Sequence, residues 1–197
     1  MKIVLATQNR HKVEELTNLL DDMNFQISSI YDYPEIPDVV EDGATFLENA
    51  RKKARVVCLA TGSLTLADDS GLVVEALAGQ PGVRSARYAG GQGDYAANNR
   101  KLLDEMKDVP DGRRGAAFVC NMVLASPDGR EWDVEGRCEG IIGHAHMGSG
   151  GFGYDPLFFV PSEGRTMAEL AMDRKNKISH RGRALAKMRK ILIEILK

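Results

Sequence analysis

Two neighbouring carboxylates, Asp68 and Asp69, follow a short alternation of apolar residues and threonine, Leu64 to Ala67. Adjacent carboxylates at the end of a strand can hold Mg²⁺, which prefers oxygen ligands and keeps several of its waters. In a regular strand the two side chains point to opposite faces, so only one of them reaches a given cleft. Glu41, which precedes a predicted helix, could supply a second metal ligand. Solvated turn and cap residues are the alternative interpretation, and spacing alone leaves both open.

A polar segment, Thr7 to Lys12, follows the apolar run Ile3 to Ala6 and precedes leucines at helical spacing, Leu16 and Leu20. This order predicts a strand, a loop and a helix, and the unpaired N–H groups of a first helical turn favour bound anions. Lys12 would add a positive charge there, although an exposed lysine without a ligand is the alternative. The chain lacks the pattern G-x-x-x-x-G-K-[ST], which disfavours a Walker-type ATPase.

A glycine-rich segment, Gly150 to Pro156, contains two aromatic residues, Phe152 and Tyr154. Glycine lets the backbone turn sharply or approach a ligand closely. An aromatic ring beside it can stack on a base, a contact worth about 1–3 kcal/mol in single-strand binders. Packing of either ring in the core is the alternative.

Three polar residues near the C-terminus could also contact a ligand. His180 and Arg181 could read the polar edge of a planar molecule through hydrogen bonds. A single histidine is more often structural, however, and Lys175 lies in a charge run that is typical of a solvated surface.

The elements that must position these residues alternate between helix and strand. Thr45 and Glu48 have the spacing of a capping box, and Gly62 is placed to end the helix that they begin. Ala116 to Ala125 and Glu131 to Cys138 predict two strands joined by a tight turn. These two strands would add antiparallel strands to the sheet.

Composition narrows the class of protein. The chain has 197 residues, 26 Lys and Arg against 28 Asp and Glu, and 43% hydrophobic residues, which predicts one folded domain and excludes a disordered chain. A near-neutral charge disfavours polymeric nucleic acid as a partner. Three widely spaced cysteines disfavour a disulfide framework or a zinc site. Apolar runs too short for a membrane span or a secretory signal lead us to expect a cytoplasmic protein.

Taken together, these motifs resemble the inosine/xanthosine triphosphate pyrophosphatases, the Ham1 or RdgB-like family. Each motif alone is weak, but the family's order is kept along nearly the whole chain. Gln8 departs from the pattern, because glycine or asparagine is more usual there. The matching segments are Thr7–Lys12, Glu41–Ala50, Ala67–Leu72, Pro81–Tyr88, Gly150–Pro156 and Ile178–Gly182.

The resemblance implies an elongated α/β fold with a mixed central sheet flanked by helices. It implies one domain over residues 1–197, with two lobes around a nucleotide cleft, and a homodimer. The implied reaction is Mg²⁺-dependent hydrolysis of ITP, dITP and XTP to the monophosphate and pyrophosphate, which removes non-canonical purines from the nucleotide pool. A Maf-like pyrophosphatase of other specificity and a non-catalytic nucleotide-binding module are the alternatives.

The resemblance also implies roles for particular residues. Asp69 is expected to orient or deprotonate the attacking water and, with Glu41, to hold the metal. The expected substrate contacts are Thr7, Gln8, Asn9, Arg10, His11 and Lys12 to the triphosphate, Ser70 to the substrate, Phe152, Gly153, Tyr154, Asp155 and Lys175 to the nucleotide, and His180 and Arg181 to the base.

Overall fold

The structure is a computed structural model, and it describes residues 2–23, 25–91 and 93–195. Helices and strands alternate over most of this length. The strands are β1 (Lys2–Leu5), β2 (Gln26–Ser29), β3 (Leu64–Val74), β4 (Gly115–Ala125), β5 (Glu131–Ile142), β6 (Phe158–Val160) and β7 (Arg165–Thr166). The helices are α1 (Arg10–Leu20), α2 (Phe46–Thr61), α3 (Tyr95–Glu105), α4 (Met172–Ile178) and α5 (His180–Ile195).

The described strands form one mixed sheet in the order β2-β1-β3-β4-β5-β6-β7. Strand β1 pairs in parallel with β2 and with β3, where Leu5 lies opposite Leu66. Strand β6 pairs antiparallel with β5 and with β7. The prediction of an α/β fold with a mixed sheet is therefore confirmed.

The chain divides into two compact units, and the first contains the described residues up to 69, residues 120–136 and the described residues from 181 onward. In this unit β1 is covered on both faces, as is usual for parallel strands. Ile3 and Leu5 pack in one apolar cluster with residues of α1 and α5, and Val4 packs in a second cluster with residues of α2. The chain leaves β1 at its carboxyl end, beside β3, where the Ala6 N–H donates to the Leu66 carbonyl at 2.9 Å.

The second unit contains residues 70–119 and 137–180. Its apolar cluster joins residues of β3, α3, β4 and β6 to the segment that follows Gly153. Arg114 is buried in this unit, and its guanidinium donates to the main-chain carbonyls of Met106 and Ile142 at 2.7 Å and of Gly143 at 2.9 Å. One side chain thus donates to several main-chain carbonyls at once.

Strand β3 is longer than predicted. The polar residues after Ala67 suggested the end of a strand, but β3 continues to Val74, so Asp68 and Asp69 lie in its middle. The prediction of a strand end was wrong because buried cations neutralise both acids and allow the strand to continue. The described cysteines are buried, and the described helices include none with the length and hydropathy of a membrane span.

Candidate active site

The first part of the site is the loop between β1 and α1, which positions Lys12. Asn9 caps α1, since its Oδ1 accepts from the Lys12 N–H at 3.3 Å, and Thr7 Oγ1 accepts from the Asn9 N–H at 3.3 Å. The loop backbone is therefore fixed by two of its own polar side chains. It directs the Lys12 side chain to β3, where Nζ lies 2.8 Å from Asp68 Oδ2.

Gln8 of this loop and Arg10 at the start of α1 contact a neighbouring segment. The Gln8 side chain donates to Asp38, and the Tyr31 hydroxyl donates to the Gln8 carbonyl at 2.5 Å. The Arg10 guanidinium lies 5.2 Å from the centre of the Tyr31 ring. His11 is exposed. Contacts of Gln8, Arg10 and His11 with a triphosphate stay predictions.

Asp68 is fully buried among cations on one face of β3. Lys12 contacts its Oδ2 at 2.8 Å, and Arg181 Nε lies 3.6 Å from the same oxygen. Burial opposes the charge, but the cations of Lys12, Arg181 and Lys53 outweigh it and hold the pKa of Asp68 well below its usual value. Asp68 therefore stays charged and holds the Lys12 side chain in place at the first turn of α1.

Asp69 lies on the opposite face, as the alternation of a strand requires. Its Oδ2 accepts from Asn49 Nδ2 at 2.9 Å, and its Oδ1 is 3.9 Å from Lys53 Nζ. Burial raises the pKa of Asp69 above its usual value, against the opposing charges of Lys53 and Lys12. Two adjacent aspartates thus have pKa values that are shifted in opposite directions, an arrangement that is frequent at catalytic sites.

Lys53 is a site residue that the sequence analysis missed. Its Nζ lies 2.6 Å from Glu41 Oε1 and 2.6 Å from the Asp68 carbonyl oxygen. Although burial alone would lower it, the pKa of Lys53 is raised, because Asp69, Asp68 and Glu41 favour the charged form. One signal was present in the sequence: Asn49 and Lys53 are four residues apart and share the buried stripe of α2.

The oxygen atoms around Lys53 fit the predicted magnesium site. The Glu41 and Asp69 carboxylates and the Asp68 carbonyl oxygen all approach one cation, the Lys53 ammonium. These are the hard oxygen donors that Mg²⁺ prefers, and Mg²⁺ is commonly held by one or two carboxylates together with substrate phosphates. Within the described ranges, no three His, Cys, Asp or Glu side chains form a group that could hold a metal by themselves. Substrate oxygens and water would therefore complete the coordination.

Arg181 and His180 begin α5 and are both buried. The Arg181 guanidinium donates to Glu15 of α1 and approaches Asp68, so it links two carboxylates of the first unit. The His180 ring stacks on Phe118 in the second unit, with the ring centres 4.9 Å apart. Their contacts with a base stay predictions, and Glu15 is a second residue that the sequence analysis missed.

In the second unit, a buried ion pair between Asp155 and Lys175 orders the segment around Phe152. Asp155 Oδ2 accepts from the Phe152 N–H at 3.0 Å and from Lys175 Nζ at 2.7 Å. Lys175 Nζ also lies 5.3 Å from the centre of the Phe152 ring. A Cβ atom at Gly151 would lie 2.1 Å from Asp155 Oδ2, which explains the glycine. Phe152, Asp155 and Lys175 thus lie together, and their contacts with a nucleotide stay predictions.

Tyr154 and Ser70 occupy different surroundings. The Tyr154 ring packs in the core, and its hydroxyl donates to the Ser85 carbonyl at 2.9 Å. Ser70 is half-buried within β3. The expected contacts of Tyr154, Gly153 and Ser70 with a nucleotide stay predictions.

Nearly the whole chain is similar to known proteins. The model of the Ham1 family matches residues 3–191. The chain belongs to the Ham1 family. Relatives of this Ham1-family chain include a dITP/XTP pyrophosphatase of Desulforamulus reducens, 53% identical over 192 residues that cover 98% of this chain and 96% of that protein. A dITP/XTP pyrophosphatase of Geobacter sulfurreducens is 52% identical over 185 residues, 94% of this chain and 93% of that protein.

Solved structures extend the comparison to the fold of the Ham1-family chain. A HAM1 protein from Coxiella burnetii matches with a TM-score of 0.90 and 42% identity, over 98% of this chain and 99% of that one. The Ham1 protein of Staphylococcus aureus matches with a TM-score of 0.89 and 37% identity, over the same shares of the two chains. The family resemblance and the α/β fold predicted from the sequence are both confirmed.

Proposed function

We propose that this Ham1-family chain is a non-canonical purine nucleoside triphosphate pyrophosphatase. It would hydrolyse dITP, ITP and XTP to the monophosphate and pyrophosphate. The observation that carries the proposal is the buried charge cluster in which Lys12 and Lys53 face Asp68 and Asp69 at the carboxyl end of β1. Relatives that are dITP/XTP pyrophosphatases over nearly their whole length support the choice of substrate.

The loop after β1 is suited to a triphosphate. A triphosphate carries about four negative charges, which repel an attacking water unless cations and N–H groups neutralise the phosphate oxygens. The N–H groups of the first turn of α1 and the Lys12 ammonium provide such groups on adjacent residues. Because Asp68 holds Lys12 at 2.8 Å, the ammonium is already in place before a substrate binds.

Asp69 is the residue that we propose acts on the water. A general base works best when its pKa is near the operating pH, and burial raises the pKa of Asp69 in that direction. Asn49 donates to one oxygen of the Asp69 carboxylate at 2.9 Å, and this hydrogen bond sets the orientation of the carboxylate. Asp69 would orient or deprotonate the water for attack on the α-phosphorus, and pyrophosphate would leave.

Magnesium is the cofactor that we propose. Glu41 and Asp69, with the carbonyl oxygen of Asp68, would hold it. When bound, Mg²⁺ supplies positive charge that offsets the charge of the phosphate oxygens and of the departing pyrophosphate. Lys53 contributes positive charge to the same group of oxygens from the protein side.

The proposed base preference follows from hydrogen-bond polarity. Hypoxanthine and xanthine present a 6-keto acceptor, whereas adenine presents a 6-amino donor. Donors from His180 or Arg181 suit the keto group and would leave unpaired groups with adenine, which is a strong basis for discrimination. Phe152, held by the pair of Asp155 and Lys175, would stack on the base. A single domain with one nucleotide cleft and a homodimer stay predictions of the same resemblance, and a cytoplasmic location stays a prediction from the short apolar runs.

A panel of nucleotides with product identification tests this function. The protein is incubated with Mg²⁺ and dITP, ITP, XTP, GTP or ATP, and the products are separated by ion-exchange chromatography. We expect pyrophosphate and the monophosphate from dITP, ITP and XTP, at rates well above that on ATP. Release of inorganic phosphate, or equal rates on all five nucleotides, would contradict the proposal. Binding without any product would instead support a nucleotide-binding module.

A further inference from the structure

Helix α3 contacts the segment 151–153 through two side chains that are one helical turn apart. The Tyr95 ring lies 6.0 Å from the Phe152 ring, with an angle of 44° between their planes. One turn further along, Asn99 Nδ2 donates to the Gly153 carbonyl at 3.0 Å. Because residues four apart share one face of a helix, both contacts come from a single face of α3. One face of α3 thus contacts both the Phe152 ring and the backbone that follows it.

The orientation of the Asn99 amide is fixed by this bond. Asn99 is only 4% exposed, and its Oδ1 has no hydrogen-bond partner among the residues that the structure describes. Rotating the amide would bring Oδ1 against the Gly153 carbonyl oxygen and leave both without a donor. The buried Asn99 amide therefore donates one hydrogen bond to the Gly153 carbonyl, while its Oδ1 has no partner among the described residues.

Phe152 needs such support because glycines flank it. Gly151 has φ +73° and Gly153 has φ +66°. Because glycine has no Cβ, its own sterics restrain the backbone on either side of Phe152 less than another residue would. On the N-terminal side the Asp155 carboxylate fixes the Phe152 N–H at 3.0 Å. On the C-terminal side, Asn99 holds the Gly153 carbonyl.

We propose that Asn99 and Tyr95 are positioning residues that set the place of the Phe152 ring, and thereby the affinity of the protein for the purine base. This inference rests on the proposed function, in which Phe152 stacks on the base. Neither residue needs to touch the nucleotide. Tyr95 limits the ring from one side, and Asn99 fixes the backbone that follows it. The phosphate contacts, which we assign to Lys12, do not depend on either residue.

The test compares Asn99→Leu with Arg100→Leu, which places the same residue at the next, exposed position of α3. Binding of dIMP and of inorganic tripolyphosphate is measured by calorimetry, and KM and kcat are measured with dITP. Loss of one hydrogen bond to a backbone carbonyl predicts dIMP binding about 3- to 10-fold weaker in Asn99→Leu. The KM for dITP rises by the same factor, while kcat and tripolyphosphate binding stay at the wild-type level. Arg100→Leu leaves all four quantities unchanged.

Unchanged dIMP binding in Asn99→Leu would overturn the inference, as would an equal loss of dIMP and tripolyphosphate binding. Tyr95→Ala, at a half-buried position, should weaken dIMP binding in the same way and keeps the inference testable if Asn99→Leu does not fold. Wild-type turnover of dITP is measured in the same series. Its absence would contradict the proposed function, whereas normal turnover with unaltered variants would contradict only the role of α3.

Discussion

Replacing Asp69 with asparagine should remove most of the turnover of dITP while preserving the fold. In the wild-type protein Asn49 donates to Asp69 at 2.9 Å, and the asparagine keeps an oxygen that can accept this hydrogen bond. It loses the negative charge 3.9 Å from Lys53, but Lys53 retains its 2.6 Å contacts with Glu41 and with the Asp68 carbonyl. Because burial disfavours the charge of Asp69, its removal should change the free energy of unfolding by less than about 1 kcal/mol.

The size of the catalytic loss follows from the proposed role. A positioned general base contributes about 10²- to 10⁴-fold in rate. At about 1.36 kcal/mol for each factor of ten, the activation free energy of Asp69→Asn should rise by about 2.7–5.4 kcal/mol. Nucleotide binding, which we assign to Lys12 and to the Phe152 segment, should weaken by less than about tenfold, or about 1.4 kcal/mol.

Pyrophosphate release measures the rate, and calorimetry with dITP measures binding in the absence of turnover. Asp133→Asn is the matched control, because that carboxylate is exposed and pairs with Arg51 at 2.9 Å, away from the cluster. It should keep wild-type turnover. Near-normal turnover in Asp69→Asn would refute the assignment of the base. A large loss of stability in that variant would refute the argument about its burial.

Three further predictions concern the cofactor and the stability of the fold. Removal of divalent cations with EDTA should abolish turnover of dITP, and added Mg²⁺ should restore it; full activity in EDTA would count against the metal site. The pKa of Asp68 is lowered because Lys12 and Arg181 outweigh its burial, so the charged carboxylate stabilises the fold at a pH above its unfolded pKa of 3.8 and loses this effect as the pH falls through its folded pKa. Urea unfolding of the metal-free protein should therefore show a difference in stability between wild type and Asp68→Asn that shrinks from pH 6 to about pH 2.5. A difference in stability that does not change with pH would contradict this prediction. Arg114→Met should lower the free energy of unfolding by about 3 kcal/mol or more, because several carbonyls lose a charged donor. Turnover per folded molecule should stay unchanged. A denaturation midpoint equal to that of wild type would show that these bonds contribute little.

Local signals in the sequence were sufficient to predict the boundaries of helices whose ends are capped. Thr45 Oγ1 accepts from the Glu48 N–H at 3.1 Å at the start of α2, and the helix ends at Gly62 with φ +58°. Both boundaries follow from bonds within a few residues, so the sequence predicts them. The Glu48 side chain reaches the Ala44 N–H at 2.7 Å, one residue earlier than an ideal capping box.

The site itself depends on contacts between distant segments, and there the sequence was less informative. An acid pair followed by serine and glycine is typical of a strand end, and only the partners from α1, α2 and α5 explain why β3 continues through it. Arg181 lies 166 residues from its partner Glu15, a separation that no local pattern reveals. Lys53 was missed for the same reason, although its place on the buried stripe of α2 was visible.

The position of bond cleavage tests the central claim most directly. The protein is allowed to hydrolyse dITP in H₂¹⁸O with Mg²⁺, and the products are analysed by mass spectrometry. Attack of water on the α-phosphorus predicts one heavy oxygen in dIMP and unlabelled pyrophosphate. Heavy oxygen in the pyrophosphate, with unlabelled dIMP, would mean attack on the β-phosphorus and would contradict the proposed role of the charge cluster around Asp69.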